Sequence, residues 1–400
     1  MALVNSKKIE KQIVENLTKL KDKKGFLRAN STNYNRLFGR DSLIASWQLL
    51  DRDPGICKAT LEILSKLQGK STNREKDEEP GKILHETDLT RDVHPENYFS
   101  FPYYGSVDST PLFLIVFAFY FRKTKDFDFL NSHWKNILAA FNWMETCGDK
   151  DKDLFLEYES AHSTGLFHQC WKDSFENHLK MNPPVAIVEA QGYQYSALME
   201  MAYLAGIKKD YGLAQSAEKR ARALKEVFNE KFWLKDCDFF ALGLDGAKMP
   251  RKAIASNPGL LLFTGIVDEE KIDPTVSRLF KDDLWTPFGI RTHSSLESDF
   301  DPFNYHLGTI WPHDNWIIAE GLRKLGKNKE YKKVRDAVLE AVKGTGFKYM
   351  PEYYVVSEGK LIWSPGAGNP QAWTVGAISN FLEISRTIDE NQPVAHSLDT

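Results

Sequence analysis

Residues 111–121, PLFLIVFAFYF, decide how this chain folds, because they form its longest apolar run and contain no charged side chain. A membrane-spanning helix needs roughly 20 consecutive apolar residues, about twice this length. The run is also too long for a typical strand. It therefore predicts one deeply buried helix, and no membrane partner is expected.

Helical periodicity continues on both sides of this run. In 130–144, 213–228 and 331–342 the apolar residues recur at the i, i+3, i+4, i+7 spacing of an amphipathic helix. The sequence predicts ten to twelve such segments. Their approximate ranges are 7–22, 41–51, 55–68, 109–122, 128–147, 186–206, 211–230, 252–263, 269–280, 312–325, 328–344 and 370–387. Only residues 353–356 and 361–363 alternate like a β-hairpin.

The helices are joined alternately by short and long connections. About 400 mostly helical residues are too many for a simple bundle, and paired helices closed into a double ring would accommodate them. The long connections, 70–108, 148–185, 282–311 and 345–369, hold most of the Gly, Pro, His and Trp outside the helices. We therefore expect them to cluster on one face and to carry the chemistry.

Composition narrows the class of protein further. The 52 basic and 55 acidic residues give a net charge of −3, which argues against a dedicated nucleic-acid binder. The four cysteines form no CxxC pair, and the first residues have no apolar core of secretory length, so a cytoplasmic protein with reduced thiols is expected. No HExxH motif occurs, and neither a metal nor a cofactor is expected.

No linker divides the chain. The polar stretch 68–80 runs directly into the aromatic stretch 98–104, YFSFPYY, so it does not resemble a domain boundary. The sequence predicts one domain over residues 1–390 and a loose C-terminal tail over 391–400. It leaves the oligomeric state open.

Four polar clusters lie at helix starts or in the long connections. Asp173 follows Trp171 and Lys172; it could cap a helix with Glu176 in a capping box, or act as a general acid whose pKa an aromatic cleft raises. Glu352, between a Pro and two Tyr, is either an ordinary solvated residue or a second carboxylate of the same cleft.

The other two clusters begin predicted helices. Arg40 and Asp41 either cap a helix or hold neighbouring sugar hydroxyls. Residues 311–315, WPHDN, either form a satisfied cap with Trp311 in the core or belong to the same pocket. Two carboxyls flanking an aromatic pocket are the arrangement that glycoside hydrolysis requires.

Taken together, these stretches resemble the amylo-α-1,6-glucosidase domain of glycogen debranching enzymes, within the (α/α)6-barrel glycoside hydrolases that include glucoamylases. The resemblance covers roughly residues 30–385. The matching stretches are 38–42 (FGRDS), 80–86 (PGKILHE), 103–113 (YYGSVDSTPLF), 171–174 (WKDS), 188–193 (VEAQGY), 289–292 (GIRT), 305–315 (YHLGTIWPHDN), 350–352 (MPE) and 369–373 (NPQAW).

The resemblance implies a mainly α fold, a single (α/α)6 toroid with long loops and a small hairpin on the active-site face. It implies an exo-acting, inverting α-glucosidase of α-1,6 linkages in glycogen-derived or other gluco-oligosaccharides, with Asp173 as general acid and Glu352 as general base. An inverting pair stands about 6.5–9.5 Å apart. The residues expected to bind the carbohydrate are Arg40, Asp41, Tyr103, Asp108, Trp171, Lys172, Glu189, Gln191, Trp311, His313, Asp314 and Gln371.

Three alternatives remain open. A glycosidase of the same fold could act on a different small glycoside. A sugar epimerase or isomerase on the same ring would rely on histidines such as His168, His306 and His313. A non-catalytic glycan-binding protein is the third alternative, although both expected carboxylates are present.

Overall fold

The computed structural model describes residues 2–390, except residues 97 and 347. The tail predicted at 391–400 lies outside these residues, and the single domain over 1–390 stays a prediction. The described helices are α1 (Ala2–Leu20), α2 (Gly39–Gln48), α3 (Pro54–Lys66), α4 (Ser109–Thr124), α5 (Phe127–Thr146), α6 (Val188–Ile207), α7 (Tyr211–Lys231), α8 (Glu269–Leu279), α9 (Pro312–Lys324), α10 (Asn328–Gly344) and α11 (Ala372–Glu390). Two 3-10 helices span Arg74–Lys76 and Asn257–Phe263.

The helices form two concentric rings. Going round the inner ring, α2 packs on α4, α4 on α6, α6 on the 3-10 helix Asn257–Phe263, that helix on α9, α9 on α11, and α11 again on α2. Each inner element packs against one helix of the outer ring. In the same order, these outer helices are α3, α5, α7, α8, α10 and α1. This closed double ring is the predicted (α/α)6 toroid.

Burial differs between the two rings. Inner α9 buries 11 of its 13 residues, whereas outer α10 buries six of its 17. The apolar run at 111–121 lies in α4, an inner helix, which explains why it has no polar face. No helix within the described part of the chain is long and apolar enough to cross a membrane.

One predicted helix takes a different form. A helix was expected over 252–263, but the structure has only the short 3-10 helix Asn257–Phe263. Pro258 lies in its first turn and Gly259 follows, and these two residues disfavour a longer α-helix. The residues before it pair with other chain segments instead, as Ala255 does with His293.

The strands are short and antiparallel. The described strands are β1 (Leu37–Phe38), β2 (Glu86–Thr87), β3 (Ala186–Ile187), β4 (Trp233–Leu234), β5 (Phe239–Phe240), β6 (Gly243–Leu244), β7 (Pro250–Arg251), β8 (Trp285–Thr286), β9 (Gly289–Ile290), β10 (Val355–Ser357) and β11 (Lys360–Ile362). β10 and β11 form the predicted hairpin. Most of the other pairs are only two residues deep, too short to show alternation in the sequence.

Candidate active site

A pocket of about 570 Å³ opens where several inner helices begin. Its walls include the first turns of α2 and α11, the residue before α9, strand β2 and parts of the long connections. Six of the residues that sequence analysis proposed line it together: Arg40, Asp41, Trp171, Asp173, Trp311 and Glu352. Residues from distant parts of the sequence thus meet in one cavity.

Asp173 lies on the long connection between α5 and α6. The capping interpretation of this residue is wrong, because no helix follows it; Ser174 instead bridges to His168. Arg40 Nη2 donates a hydrogen bond to Asp173 Oδ2 at 2.6 Å. Burial raises the pKa of Asp173 to about 6, although the Arg40 charge opposes the rise. This carboxyl can therefore carry a proton near neutral pH.

Glu352 lies after α10 and before the β10–β11 hairpin. Its backbone N–H donates to the Gly368 carbonyl at 2.9 Å, which fixes the chain at this point. The Tyr305 hydroxyl donates to Glu352 Oε1 at 2.6 Å. Burial raises the pKa of Glu352 to about 7, the hydroxyl lowers it, and the Asp173 charge raises it further. Glu352 is buried and is not the ordinary solvated residue of the alternative interpretation.

Arg40 is positioned by a close approach of backbones. Gly39 begins α2, and a Cβ atom there would lie 2.1 Å from the Leu84 carbonyl oxygen. Arg40 Nη1 then donates to both carboxylate oxygens of Asp108 at 3.1 Å. The Asp108 carboxylate therefore holds one nitrogen of the Arg40 guanidinium while another contacts Asp173 in the pocket.

Asp41 and the aromatic rings complete the inner part of the pocket. Gln371 Nε2 donates to Asp41 Oδ1 at 3.0 Å, and burial raises the pKa of Asp41 well above its usual range. The Trp171 ring packs edge-on against Trp311, with centroids 5.5 Å apart. Trp311 also stacks on Tyr353. Trp171 and Trp311 line the pocket and give it an apolar wall beside polar groups that suit hydroxyls.

Eight proposed binding residues lie around the pocket rather than among its lining residues: Tyr103, Asp108, Lys172, Glu189, Gln191, His313, Asp314 and Gln371. Asp108 and Gln371 contact lining side chains directly. His313 stacks on Trp373, which lines the pocket, with centroids 3.9 Å apart. These three thus support the pocket wall, as do Tyr103, whose hydroxyl accepts from the backbone N–H of Leu166, and Lys172, whose Nζ lies over the Trp171 ring.

Tyr103, Lys172 and the remaining three also have partners of their own. Tyr103 donates from its hydroxyl to Asp77 at 2.8 Å. Gln191 bonds both backbone groups of Leu156. Lys172, Glu189 and Asp314 form a buried charged cluster, in which burial lowers the pKa of Lys172 to about 8 and raises those of Glu189 and Asp314 to about 7.

Sequence reasoning missed several lining residues, among them Tyr34, Tyr98, Phe175, Tyr305 and Trp373. Tyr305 and Trp373 fall inside the matching stretches 305–315 and 369–373, so a closer inspection of those stretches could have found them. Phe175 carried no sequence signal beyond its place two residues after Asp173. Its role depends on how the connection folds.

The histidines on which an epimerase would rely are buried. Burial lowers the pKa of His168 to about 3 and that of His306 and His313 well below the usual range. None of the three is among the described lining residues. Two clusters elsewhere could hold a cation, Asp149/Asp151/Asp153 and His293/Glu297/Asp299. In each, an acidic member already pairs with a basic side chain, Asp149 with Arg220 and Asp299 with Lys180.

A double ring of helices whose pocket combines two carboxyls of raised pKa with aromatic walls is typical of the class of (α/α)6 glycoside hydrolases. The sequence model of the mannosylglycerate hydrolase MGH1-like glycoside hydrolase domain family matches residues 105–374. The chain belongs to this family.

Individual relatives agree with this assignment. The mannosylglycerate hydrolase of Rubrobacter radiotolerans is 27% identical over 152 residues, which span 36% of this chain and 34% of that protein. The crystal structure of the GH63 mannosylglycerate hydrolase from Thermus thermophilus in complex with Tris superposes with a TM-score of 0.73 at 16% identity, covering 93% of this chain and 99% of that one. The same enzyme in complex with glucose gives 0.70 at 16% identity, covering 93% and 99%. At this identity the structures support the fold.

Proposed function

We propose that this protein is an exo-acting, inverting glycoside hydrolase of small α-glycosides. Asp173 would protonate the glycosidic oxygen while Glu352 takes a proton from the attacking water. The observation that carries the proposal is the pair itself: two carboxyls of raised pKa, Asp173 and Glu352, line one aromatic pocket.

The surroundings of each carboxyl suit its role. Asp173 becomes negative as it gives up its proton, and the Arg40 guanidinium at 2.6 Å stabilises that charge. Glu352 must be ionised to act as a base, and the Tyr305 hydroxyl at 2.6 Å stabilises the ionised form. The raised pKa of about 7 keeps Glu352 strongly basic once it is ionised.

The buried part of the pocket suits the sugar that is released. Trp171 and Trp311 are 2% and 1% exposed, so the pocket is deepest beside them. A sugar ring can pack its apolar face there, while Arg40 and Asp41 hold its hydroxyls. The terminal residue of the substrate would occupy this end, which makes the action exo.

The linkage and the sugar are part of the proposal. The α-1,6-glucan linkage implied by the debranching-enzyme resemblance finds no support in the comparisons, whose named relatives hydrolyse mannosylglycerate. We therefore infer a small α-glycoside, either an α-glucoside or an α-mannoside, as the substrate.

The test is to incubate the protein with a panel of α-glucosides and α-mannosides and to record the first-formed anomer by NMR. An inverting enzyme releases β-sugar from an α-linkage. First-formed α-sugar would contradict inversion, and the absence of hydrolysis across the panel would contradict the proposed activity.

A further inference from the structure

The connection that carries Asp173 runs from the buried end of the pocket to its mouth. Trp171 is 2% exposed, the Asp173 side chain 25% and Phe175 45%. A general acid acts at the oxygen between the released sugar and its leaving group. With the released sugar at the buried end, the leaving group must lie on the other side of Asp173, toward Phe175.

Two aromatic rings border this outer part of the pocket. Tyr98 and Phe175 both line it, with ring centroids 4.5 Å apart. They remain 36% and 45% exposed, whereas the aromatic rings at the buried end are covered. Tyr98 also packs on His94, and the Thr164 hydroxyl bonds its carbonyl oxygen, so the ring has a defined position. Exposed, supported rings beside a cleft suit the apolar face of a second ring.

The positive charges of the pocket are already paired. Of the described lining residues, Arg36 and Arg40 are the permanent cations. Arg36 pairs with Glu86 and lies against the ring of Phe38. Arg40 pairs with Asp108 and Asp173.

The remaining groups do not supply a positive charge. His85 and His94 line the pocket, and burial lowers the pKa of both, which keeps them neutral at pH 7. Glu96 and Glu176 line the mouth and are exposed. A leaving group entering there meets carboxylates and no unpaired guanidinium.

We propose, on the basis of the function proposed above, that the outer subsite binds an uncharged sugar or polyol leaving group against Tyr98 and Phe175 and disfavours one that carries a carboxylate. The relatives named above are mannosylglycerate hydrolases, whose leaving group is a carboxylic acid. This chain would thus share their fold and reaction while differing in the leaving group.

The preference for an uncharged leaving group is tested with two substrates, the α-glycoside of glycerol and the α-glycoside of glycerate, which differ in one group. Both carry the sugar that the substrate panel identifies. We expect kcat/KM to be about tenfold higher for the glycerol compound at low salt, with the difference shrinking as ionic strength rises. Replacing both Glu96 and Glu176 by Gln should reduce the difference in kcat/KM between the two compounds. An equal or higher kcat/KM for the glycerate compound would overturn the proposal.

The aromatic platform is tested with Phe175→Ala. With a disaccharide substrate we expect KM to rise about tenfold and kcat to change less, and the loss should be smaller for the methyl glycoside, which has no second ring. Phe303→Ala, at a 58% exposed ring outside the pocket lining, is the matched control and should behave like the parent protein. An equal loss on both substrates would contradict stacking.

Binding separates this inference from the proposed activity. Isothermal titration of the Asp173→Asn variant with a neutral disaccharide and with its uronic acid counterpart needs no turnover. Tighter binding of the neutral compound supports the inference even if no hydrolysis is found. Equal or tighter binding of the acid, or no binding of either, overturns it, whereas hydrolysis with a preference for the acid would leave the proposed function standing.

Discussion

The two carboxyls of the pocket are held by different kinds of partner. Asp173 lies on a long connection, keeps 25% of its side chain exposed and pairs with a charged group, Arg40. Glu352 is 4% exposed and is held by neutral donors, the Tyr305 hydroxyl and the backbone N–H of Gly368. A charged partner stabilises the anion that an acid leaves behind, whereas neutral donors orient a base and leave its pKa high. The contrast is the structural support for the proposed roles of Asp173 as acid and Glu352 as base.

The pair must be considered as a unit. With pKa values of about 6 and about 7, Asp173 and Glu352 together hold one proton between roughly pH 6 and pH 7. Below this window both are protonated and no base remains. Above it both are ionised and no acid remains. Because Glu352 has the higher pKa, the productive form, with the proton on Asp173 and Glu352 ionised, is the minority arrangement of that proton, and the activity is expected to follow a bell-shaped profile with its maximum in this window.

Loss of the base should have the largest effect. In Glu352→Gln the carboxamide cannot take a proton from water, and we expect kcat/KM to fall by about 10⁴-fold, the upper end for a general base. The loss should be the same for activated and ordinary leaving groups, because water must attack in both cases. Steady-state kinetics with a nitrophenyl glycoside and a natural glycoside measure it.

The control for this variant is Glu358→Gln, at an exposed position in the β10–β11 turn, which should keep full activity. If Glu352→Gln retained a tenth or more of the parent activity, Glu352 would not be the base.

Loss of the acid should be smaller and should depend on the leaving group. Asp173→Asn is expected to lower kcat/KM by about 10²- to 10³-fold for a sugar leaving group. A nitrophenolate needs little protonation, so the loss there should be less than about tenfold. The ratio of the two losses is the measurement.

Asp282→Asn, at an exposed carboxyl, is the matched control for Asp173→Asn. Equal losses on both leaving groups would contradict the proposed role of Asp173 as the general acid.

Loss of the neutral donor should have the smallest effect and should depend on pH. Tyr305→Phe removes a hydrogen bond that stabilises ionised Glu352, so the pKa of Glu352 rises. A hydrogen bond to a charged group contributes about 1.5 kcal/mol, which corresponds to about one pKa unit. The two carboxyls then share one proton over a wider pH range, so the basic limb of the kcat/KM profile should move up by about one unit while the acidic limb stays in place and the maximum falls by up to about tenfold.

Tyr353→Phe is the control for this shift. The Tyr353 hydroxyl shares a hydrogen bond with Ser364 instead of the carboxylate, and its removal should leave the basic limb in place. A similar shift in both variants would show that ring packing, and not the Tyr305 hydroxyl, sets the pKa.

The helices were largely predictable from the sequence because the spacing of apolar side chains shows which face of a helix is buried. Outer α10 begins and ends at the residues expected from its apolar stripe. Inner α4 was recognised by the opposite property, an apolar run without a polar face. The exception at Asn257–Phe263 arose because pairing of the preceding residues with other segments overrode the local pattern.

The pocket was only partly predictable. The motif order singled out Asp173 and Glu352, which both line the pocket, since both belong to stretches with a specific residue pattern. Asp108 and Lys172 belong to equally specific stretches but lie behind the lining, where they contact Arg40 and the Thr292 carbonyl. A motif indicates that a residue matters to a site without telling whether it faces the cavity or supports the wall.

The sequence by itself determined the helical class and the approximate bounds of most helices, and it pointed to the two candidate carboxyls, because these depend on local periodicity and on short residue patterns. The tertiary structure decided which charges are paired. Arg36 and Glu86 are 50 positions apart, and Arg40 and Asp173 are 133 apart. Arg36 meets Glu86 through the pairing of β1 with β2, and Arg40 meets Asp173 where two connections of the ring converge. Such pairs form only in the folded chain, and they decide how much charge remains for a ligand.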